Sequence, residues 1–521
     1  MNYKMVMKKI LIHILLIAVA SFILSLLTQA ILPVGDFWKG TLAAFYLMFF
    51  VAVLLYLAWR LFGREKKLAW MMILAFIVRL GLGLFLAWGL PQFGYEEAPQ
   101  QAGFVFQDAY RREASAWELA QSDDPLTRAF SDDYTADQYG GLLALDAFVY
   151  RFISPDAYRP ALILILSAGA MTLSLPFLTA IVGSAFGKNT SSWAGWLLTL
   201  YPEGILLSAA QMREPYLILF LTMLTWSVVQ CLDRRRLKFA IPGLIGGSVG
   251  LFLFSSRVAL PLIGIILVWT WVMESPKVKQ TWLKGAIWFA ALAAFAGIAW
   301  FFRDWVQEVM SWDARLTLIA SGRIQFELES LPAWLHFPFI VVYGMFQPVL
   351  PAAIAAPAPW IWRGLGVFRA LGWYALLPLL AYAFVRILRL PASRKKRWLM
   401  SMIFFAWVWI VVASARAGGD QWDNPRYRTI LLPWMAITAA WVINFVRETK
   451  DRWLGRVLLV EGIFLAFFTE WYISRYYPVI PRLDFWLMIV LILLLSFLVI
   501  ILGWLRDKNQ KKRQRESLIE N

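Results

Sequence analysis

Residues 68–90 read LAWMMILAFIVRLGLGLFLAWGL, and the 91–158 segment that follows carries Glu96, Glu97, Asp108, Glu113, Glu118, Asp123, Asp124, Asp132, Asp133, Asp137, Asp146 and Asp156. The first stretch is apolar over a length sufficient for one helix to cross a hydrocarbon core of ~30 Å. The second is polar and acid-rich, in a chain whose net charge is +17. Carboxylates concentrated in one loop between membrane helices predict a catalytic loop.

Runs like the first lie near residues 10–31, 40–61, 160–182, 192–211, 215–232, 239–254, 258–273, 283–302, 370–387, 399–415, 430–446, 454–472 and 485–505. Together they predict an all-α, polytopic membrane helix bundle of about fourteen transmembrane helices, with amphipathic helices in its external loops. The 239–254 and 258–273 runs are short and read as tilted partners or as helices that stop short of one face. Composition agrees: 60% of the 521 residues are hydrophobic and 16% charged, with mean hydropathy +0.62. That leaves too little polar surface to cover a soluble domain. The first run is too long, and followed by too many others, to be a cleaved signal peptide.

Basic clusters set the orientation. They fall at Lys4/Lys8/Lys9, Arg64/Lys66/Lys67, Lys188, Arg234/Arg235/Arg236/Lys238, Lys277/Lys279/Lys284, Arg394/Lys395/Lys396/Arg397, Arg447/Lys450/Arg452/Arg456 and Lys508/Lys511/Lys512/Arg513/Arg515. Each follows an even number of spans if both termini are cytoplasmic. The 91–158 loop is then extracytoplasmic, provided that 336–350 does not cross. The expected organisation is two N-terminal helices in 1–67, a core in 68–302, a second external segment with a re-entrant or interfacial helix in 303–369, C-terminal helices in 370–505 and a basic cytoplasmic tail in 506–521. The positive charge reflects this topology and makes no case for nucleic acid, although the tail could touch anionic membrane lipid.

Several chemistries are excluded. Cys231 is the only cysteine, so no internal disulfide exists, and His13 and His336 are the only histidines, which removes a His/Cys zinc site. The 183–190 segment, Gly-Ser-Ala-Phe-Gly-Lys-Asn-Thr, is one residue short of a phosphate loop and has Asn after its Lys. No Asp-X-Asp pair of the metal-holding kind and no internal repeat is present, which weakens an inverted-repeat transporter reading.

Within the acidic loop, 107–120 is rich in helix formers and suits a helix lying at the membrane surface, with Tyr110 and Trp117 near one face and Arg111, Arg112, Glu113 and Glu118 elsewhere. Asp108 falls in its first turn, where a carboxylate favours the helix dipole or faces a cavity at headgroup level. A second helical segment, 134–151, bends at Gly140-Gly141. Glu203, in Tyr201-Pro-Glu-Gly, lies inside an apolar run where an ionisable group is costly and needs a cavity or a partner, and Pro202 and Gly204 should break that helix. Arg213 and Glu214 lie on the outer turn and read as an interfacial ion pair or a site pair. Arg213, Arg257, Arg416, Arg426 and Arg428 all oppose the positive-inside bias. Snorkelling explains any one of them, whereas several beside one acidic loop look like a clamp for phosphate.

In this order, Gln107-Asp108-Ala-Tyr110, Tyr139-Gly-Gly141, Tyr201-Pro-Glu203 to Arg213-Glu-Pro215, Ser256-Arg257 and Arg426-Tyr-Arg428 resemble the GT-C superfamily of integral-membrane glycosyltransferases, which includes protein mannosyltransferases and lipid A aminoarabinose transferases. The resemblance covers about residues 68–446. It implies transfer of a sugar from a polyprenyl-phosphate or diphosphate donor, in the outer leaflet of the cell membrane, to a hydroxyl on a lipid, glycan or protein acceptor. Hexosyl transfer with inversion is expected. Asp108 and Glu214 would be the catalytic carboxylates, and Arg213, Arg257, Arg426, Arg428, Glu203 and Tyr139 would bind substrate. These residues single out no cofactor. A divalent metal is the one group the resemblance leaves open, since Gln107-Asp108 stands where an acidic pair is often seen. A polysaccharide polymerase or ligase is an alternative enzyme reading. A flippase or other transporter of lipid-linked sugar is the alternative outside enzymes, and should need ionisable groups through the depth of the bundle, where Glu203, Glu461 and Glu470 are the main ones legible.

Overall fold

In the computed structural model, which describes residues 3–131, 133–134, 140–301, 329–477, 481 and 483–519, the described residues form helices and no strand. Eleven helices are long and apolar enough to cross a membrane, or twelve if Asp423–Thr429 and Leu432–Thr449, which meet at 73°, make one broken span. The chain is thus an all-α, multi-pass membrane protein. Ala161–Phe186 and Glu214–Leu232 form the centre, with 78% and 72% of their apolar windows buried, against 11% for Ile10–Ile31, Trp453–Tyr476 and Phe485–Gln510. Those outer helices expose Leu11, Leu15, Leu459 and Leu493, as expected where the solvent is lipid.

Several expected runs have other boundaries. The 192–211 run is two helices, Lys188–Leu200 and Pro202–Ala209. Pro202 has no N–H to continue the ladder and drives Tyr201 out of the helical region, to φ −64°, ψ 116°. The carbonyls this break strands are taken by the fully buried Arg79, whose Nη2 donates to Leu198 O at 2.8 Å and whose Nη1 donates to Thr199 O at 3.1 Å. A cation at a helix C-terminus also complements the dipole, so one guanidinium satisfies the break inside the bundle. The 370–387 run is part of a longer helix, Trp360–Leu388, which places Arg369 inside a helix rather than at the end of a loop. Ala333–Met345 has 13 residues, too short to cross alone, and precedes the short helix Leu350–Ala355. The remainder of the proposed second external segment, residues 303–328, lies outside the described residues.

Contacts sort the loops into two ends. At one, Trp362 Nε1 donates to Gln100 Oε1 at 2.7 Å, Gln211 Nε2 to Pro160 O at 2.8 Å, and Arg159 Nε to Val34 O at 3.0 Å. The acidic loop belongs to this end. At the other, Arg236 Nη1 donates to Leu61 O at 3.2 Å, Arg394 Nη2 reaches Asp233 at 2.6 Å, Lys188 approaches Glu65 at 3.8 Å, and Arg456 grips Asp507 at 2.7 Å. The basic clusters near 64–67, 188, 234–238, 394–397 and 447–456 therefore share one end.

This arrangement predicts sidedness. In a Cys231→Ser background, Asp123→Cys and Gln421→Cys should both react with an impermeant maleimide added outside, and Arg235→Cys only after permeabilisation. Labelling of Asp123→Cys and Gln421→Cys from opposite sides would break the shared end.

Candidate active site

The acidic loop is a folded unit. Gln107–Gln121 packs against Gly141–Phe152, and Trp117 meets Tyr150 edge to face with centroids 5.7 Å apart. Gly140 enters the second helix at φ +69°, with Ala129 O where a Cβ would stand, so this bend needs glycine. The Gln107–Gln121 helix does not keep its charges in solvent as its sequence suggests. Arg112 and Glu113 are buried: Arg112 Nε lies 3.2 Å from Asp146 Oδ2, Arg112 Nη2 lies 3.5 Å from Glu113, and the Tyr150 hydroxyl donates to Glu113 Oε2. Burial raises the pKa of Glu113 and, with the neighbouring Glu113 carboxylate adding to it, raises that of Asp146 well above the carboxylate range. One proton shared by the two acids leaves the trio neutral with Arg112.

Arg112 reaches further. Its Nη2 also donates to the carbonyl of Gln211, a turn residue held at φ +54°. A left-handed non-glycine residue is strained, and here it is fixed from both sides by Arg112 and by its own bond to Pro160 O. Two residues later come Arg213 and Glu214, the latter in the first turn of Glu214–Leu232, where a carboxylate complements the dipole. Phe104, Phe106 and Ala109 pack on Leu207, Ala210 and Met212, which seats the start of the Asp108 helix beside that turn.

The third element is Asp423–Thr429. Asp420 Oδ1 accepts from the N–H groups of Trp422 and Asp423 at 2.6 and 2.8 Å, fixing the helix entry, and Pro425 occupies the first turn, where no N–H is required. Arg426 then points its guanidinium at three carboxylates. Nε donates to Glu214 Oε1 at 2.6 Å, and Nη1 to Asp108 Oδ2 at 2.9 Å and to Asp423 Oδ1 at 3.4 Å. Arg213 Nε stands 3.9 Å from Glu214. Arg426 and Glu214 are 5% and 0% exposed, whereas the Asp108 side chain is 59% exposed. Partial burial acts to raise the pKa of Asp108, but the Arg426 guanidinium outweighs it, and the carboxyl is held below its usual value. Asp108 is therefore an ionised, accessible carboxylate whose Oδ2 is occupied by Arg426.

A second network lies next to the first. Arg369 grips Glu203 through both oxygens at 2.7 and 2.9 Å, donates to Trp422 O at 3.3 Å, and stacks its guanidinium 4.2 Å from the Trp422 ring. Arg428 is 1% exposed and lies 3.5 Å from the Trp373 ring, with Nε and Nη1 making no hydrogen bond. Of the residues expected at a site, Asp108, Glu214, Arg213 and Arg426 meet, and Glu203 and Arg428 lie in the neighbouring network. Arg257 is exposed in the first turn of Ser256–Glu274. The preceding helix ends at Leu253 and Phe254, whose backbone closes on Gly141. Tyr139 lies outside the described residues.

Sequence reasoning overlooked Arg369, Asp423, Arg112 and Asp146. An arginine at the very edge of the 370–387 apolar run was the one local signal for Arg369. No local pattern singles out the others, since each is defined by a partner far away in the chain. Among the described residues no group of three His, Cys, Asp or Glu is placed to hold a metal ion, so the divalent metal the resemblance leaves open has no ligand set here. Comparison with protein-family models, curated proteins and solved structures finds no match.

Two outcomes follow. Arg426→Gln leaves Glu214 charged and buried and should destabilise the protein by about 3–5 kcal/mol, whereas Arg426→Gln with Glu214→Gln should cost much less than the sum of the two single changes; thermal unfolding in detergent measures this. The raised acid pair makes the native state favour a proton. Its stabilisation is complete below the ordinary carboxylate range and is lost as pH rises through the raised native value. Between pH 5 and pH 9 (roughly the accessible range), wild-type Tm should fall more steeply than that of Asp146→Asn, and parallel profiles would exclude the shared proton.

Proposed function

We propose that the protein is a membrane glycosyltransferase that moves a sugar from a polyprenyl-phosphate or diphosphate donor to an acceptor hydroxyl at the acidic end of the bundle, on the extracytoplasmic side. The observation that carries this reading is the Asp108–Arg426–Glu214 cluster: an ionised carboxylate, exposed on one side and fixed from behind by a buried ion pair. In the step that follows, the acceptor oxygen attacks the anomeric carbon, Asp108 takes the hydroxyl proton, the bond from carbon to phosphate oxygen breaks, and the polyprenyl phosphate leaves with the electron pair. A positioned base contributes about 10²- to 10⁴-fold. Attack opposite the departing phosphate gives inversion.

The arginines divide by access. Arg426 is committed to carboxylates, and Arg428 lies under Trp373, so neither is the first cation a phosphate would meet. Arg213, 17% exposed beside Glu214, is better placed to stabilise charge on the leaving phosphate. Arg426 serves instead as the positioning residue for Asp108.

The transporter alternative gains from the buried charges found at depth, Arg79, Arg369, Glu203 and Arg428. Arg79 is spent on helix carbonyls and Glu203 is closed by a bidentate arginine, which suits struts better than a moving ion path.

The test uses purified protein in liposomes with a panel of polyprenyl-phosphate sugars and reads release of polyprenyl phosphate. Asp108→Asn should reduce transfer by at least about 10²-fold with donor binding retained, while Glu118→Gln, on the exposed side of the same helix, should change it less than about twofold. Sugar lipid crossing the bilayer with no release of polyprenyl phosphate would favour the transporter.

A further inference from the structure

At the basic end, a cavity of about 400 Å³ is lined by Lys67, Asn189, Ser192, Trp193, Trp196, Asn444, Arg447 and Glu448. Three helices make it: the start of Lys66–Phe93, the first three turns of Lys188–Leu200 and the last two turns of Leu432–Thr449. These helices run from here toward the acidic end, so the cavity opens at the opposite surface from Asp108 and has no part in the chemistry proposed above.

Its lining has a definite chemical bias. Lys67 and Arg447 supply two cations from different helices, and the Arg447 guanidinium sits 5.1 Å from the Trp193 ring centroid, which orients it along the wall. Trp193 and Trp196 are half-buried, on the helix flank where a membrane interface places indoles. Glu448 is turned toward Asn444, whose Nδ2 donates to Glu448 Oε1 at 2.8 Å, leaving the rest of the carboxylate as an acceptor. Asn189 and Ser192 add neutral polar groups. A ligand that fits must offer an anion to Lys67 and Arg447, hydrogen-bond donors to Glu448 and an apolar body beside the indoles. A dianionic phosphomonoester would be repelled by Glu448. A choline headgroup has the phosphate but no donor.

We propose that this cavity is a binding site for the headgroup of an anionic phospholipid whose phosphodiester is joined to a hydroxyl-bearing alcohol, as in phosphatidylglycerol. The phosphate pairs with Lys67 and Arg447, the hydroxyls donate to Glu448, and the acyl chains pass over Trp193 and Trp196 into the bilayer. Basic pockets between helices at a membrane surface commonly hold such headgroups.

The experiment is lipid binding to the full-length protein in detergent by native mass spectrometry, with phosphatidylglycerol, phosphatidylcholine and phosphatidic acid as probes and soluble glycerol 1-phosphate as competitor. Phosphatidylglycerol should bind in preference to both other lipids. Lys67→Gln with Arg447→Gln should weaken it about tenfold or more. Arg235→Gln, an exposed charge at the same end outside the cavity, should leave it within about twofold. Glu448→Gln should erase the preference over phosphatidic acid while leaving the lipid bound. Equal losses in Arg235→Gln and the double variant would show a diffuse surface charge effect and overturn the site. Full competition by millimolar glycerol 1-phosphate would assign the cavity to a free phosphate ester and overturn the lipid assignment. Unfolding of the double variant is read separately from the Glu448→Gln profile, which keeps both cations in place.

Discussion

The buried pair between Arg426 and Glu214 is the interaction on which the acidic end depends. Two charges removed from water cost several kcal/mol each unless they meet at close range, and here they meet at 2.6 Å with neither exposed. The pair ties the Asp423 helix to the N-terminus of Glu214–Leu232, residues 212 apart in the chain. The remaining face of the same guanidinium holds Asp108, so the position of the exposed carboxylate is inherited from the buried one. A lysine would carry the charge without the geometry, since only a planar fork can address several carboxylates in fixed directions.

The bundle accommodates this by breaking two helices. Pro202 ends one helix inside the bundle and begins another, and the 73° bend before Leu432 does the same on the other side. A broken helix in a membrane leaves carbonyls and N–H groups that lipid cannot satisfy. Arg79 takes the carbonyls at the first break, Glu203 lies at the N-terminus that follows, and Arg369 closes on Glu203. Each charge buried in this region answers either a helix end or another charge, except that Arg428 keeps two unbonded nitrogens beneath Trp373.

The membrane class was legible because apolar length is a local property. So was the break at Tyr201-Pro202, because proline acts on its own residue and the one before it. Grouping of the basic clusters at one end also follows from counting. What could not be read were the partners. Arg112 reads as a solvated charge on an amphipathic helix until Asp146 and Gln211 are brought against it, and Arg426 reads as a surface cation until Glu214 and Asp108 arrive from more than two hundred residues away. The extension of Trp360–Leu388 beyond its apolar part was missed for a related reason: Arg363 and Arg369 look like loop residues unless their helix is known to continue.

The central claim is that the exposed face of the Arg426-bound carboxylate meets a phosphate-linked lipid. The most direct measurement is a cryo-EM structure of the wild-type protein in nanodiscs with polyprenyl phosphate added. The account predicts phosphate density at the acidic end, within hydrogen-bond reach (about 3 Å) of Arg213 and beside Asp108, with the Arg426–Glu214 pair intact. Phosphate density confined to the basic end, with none beside Asp108, would contradict it.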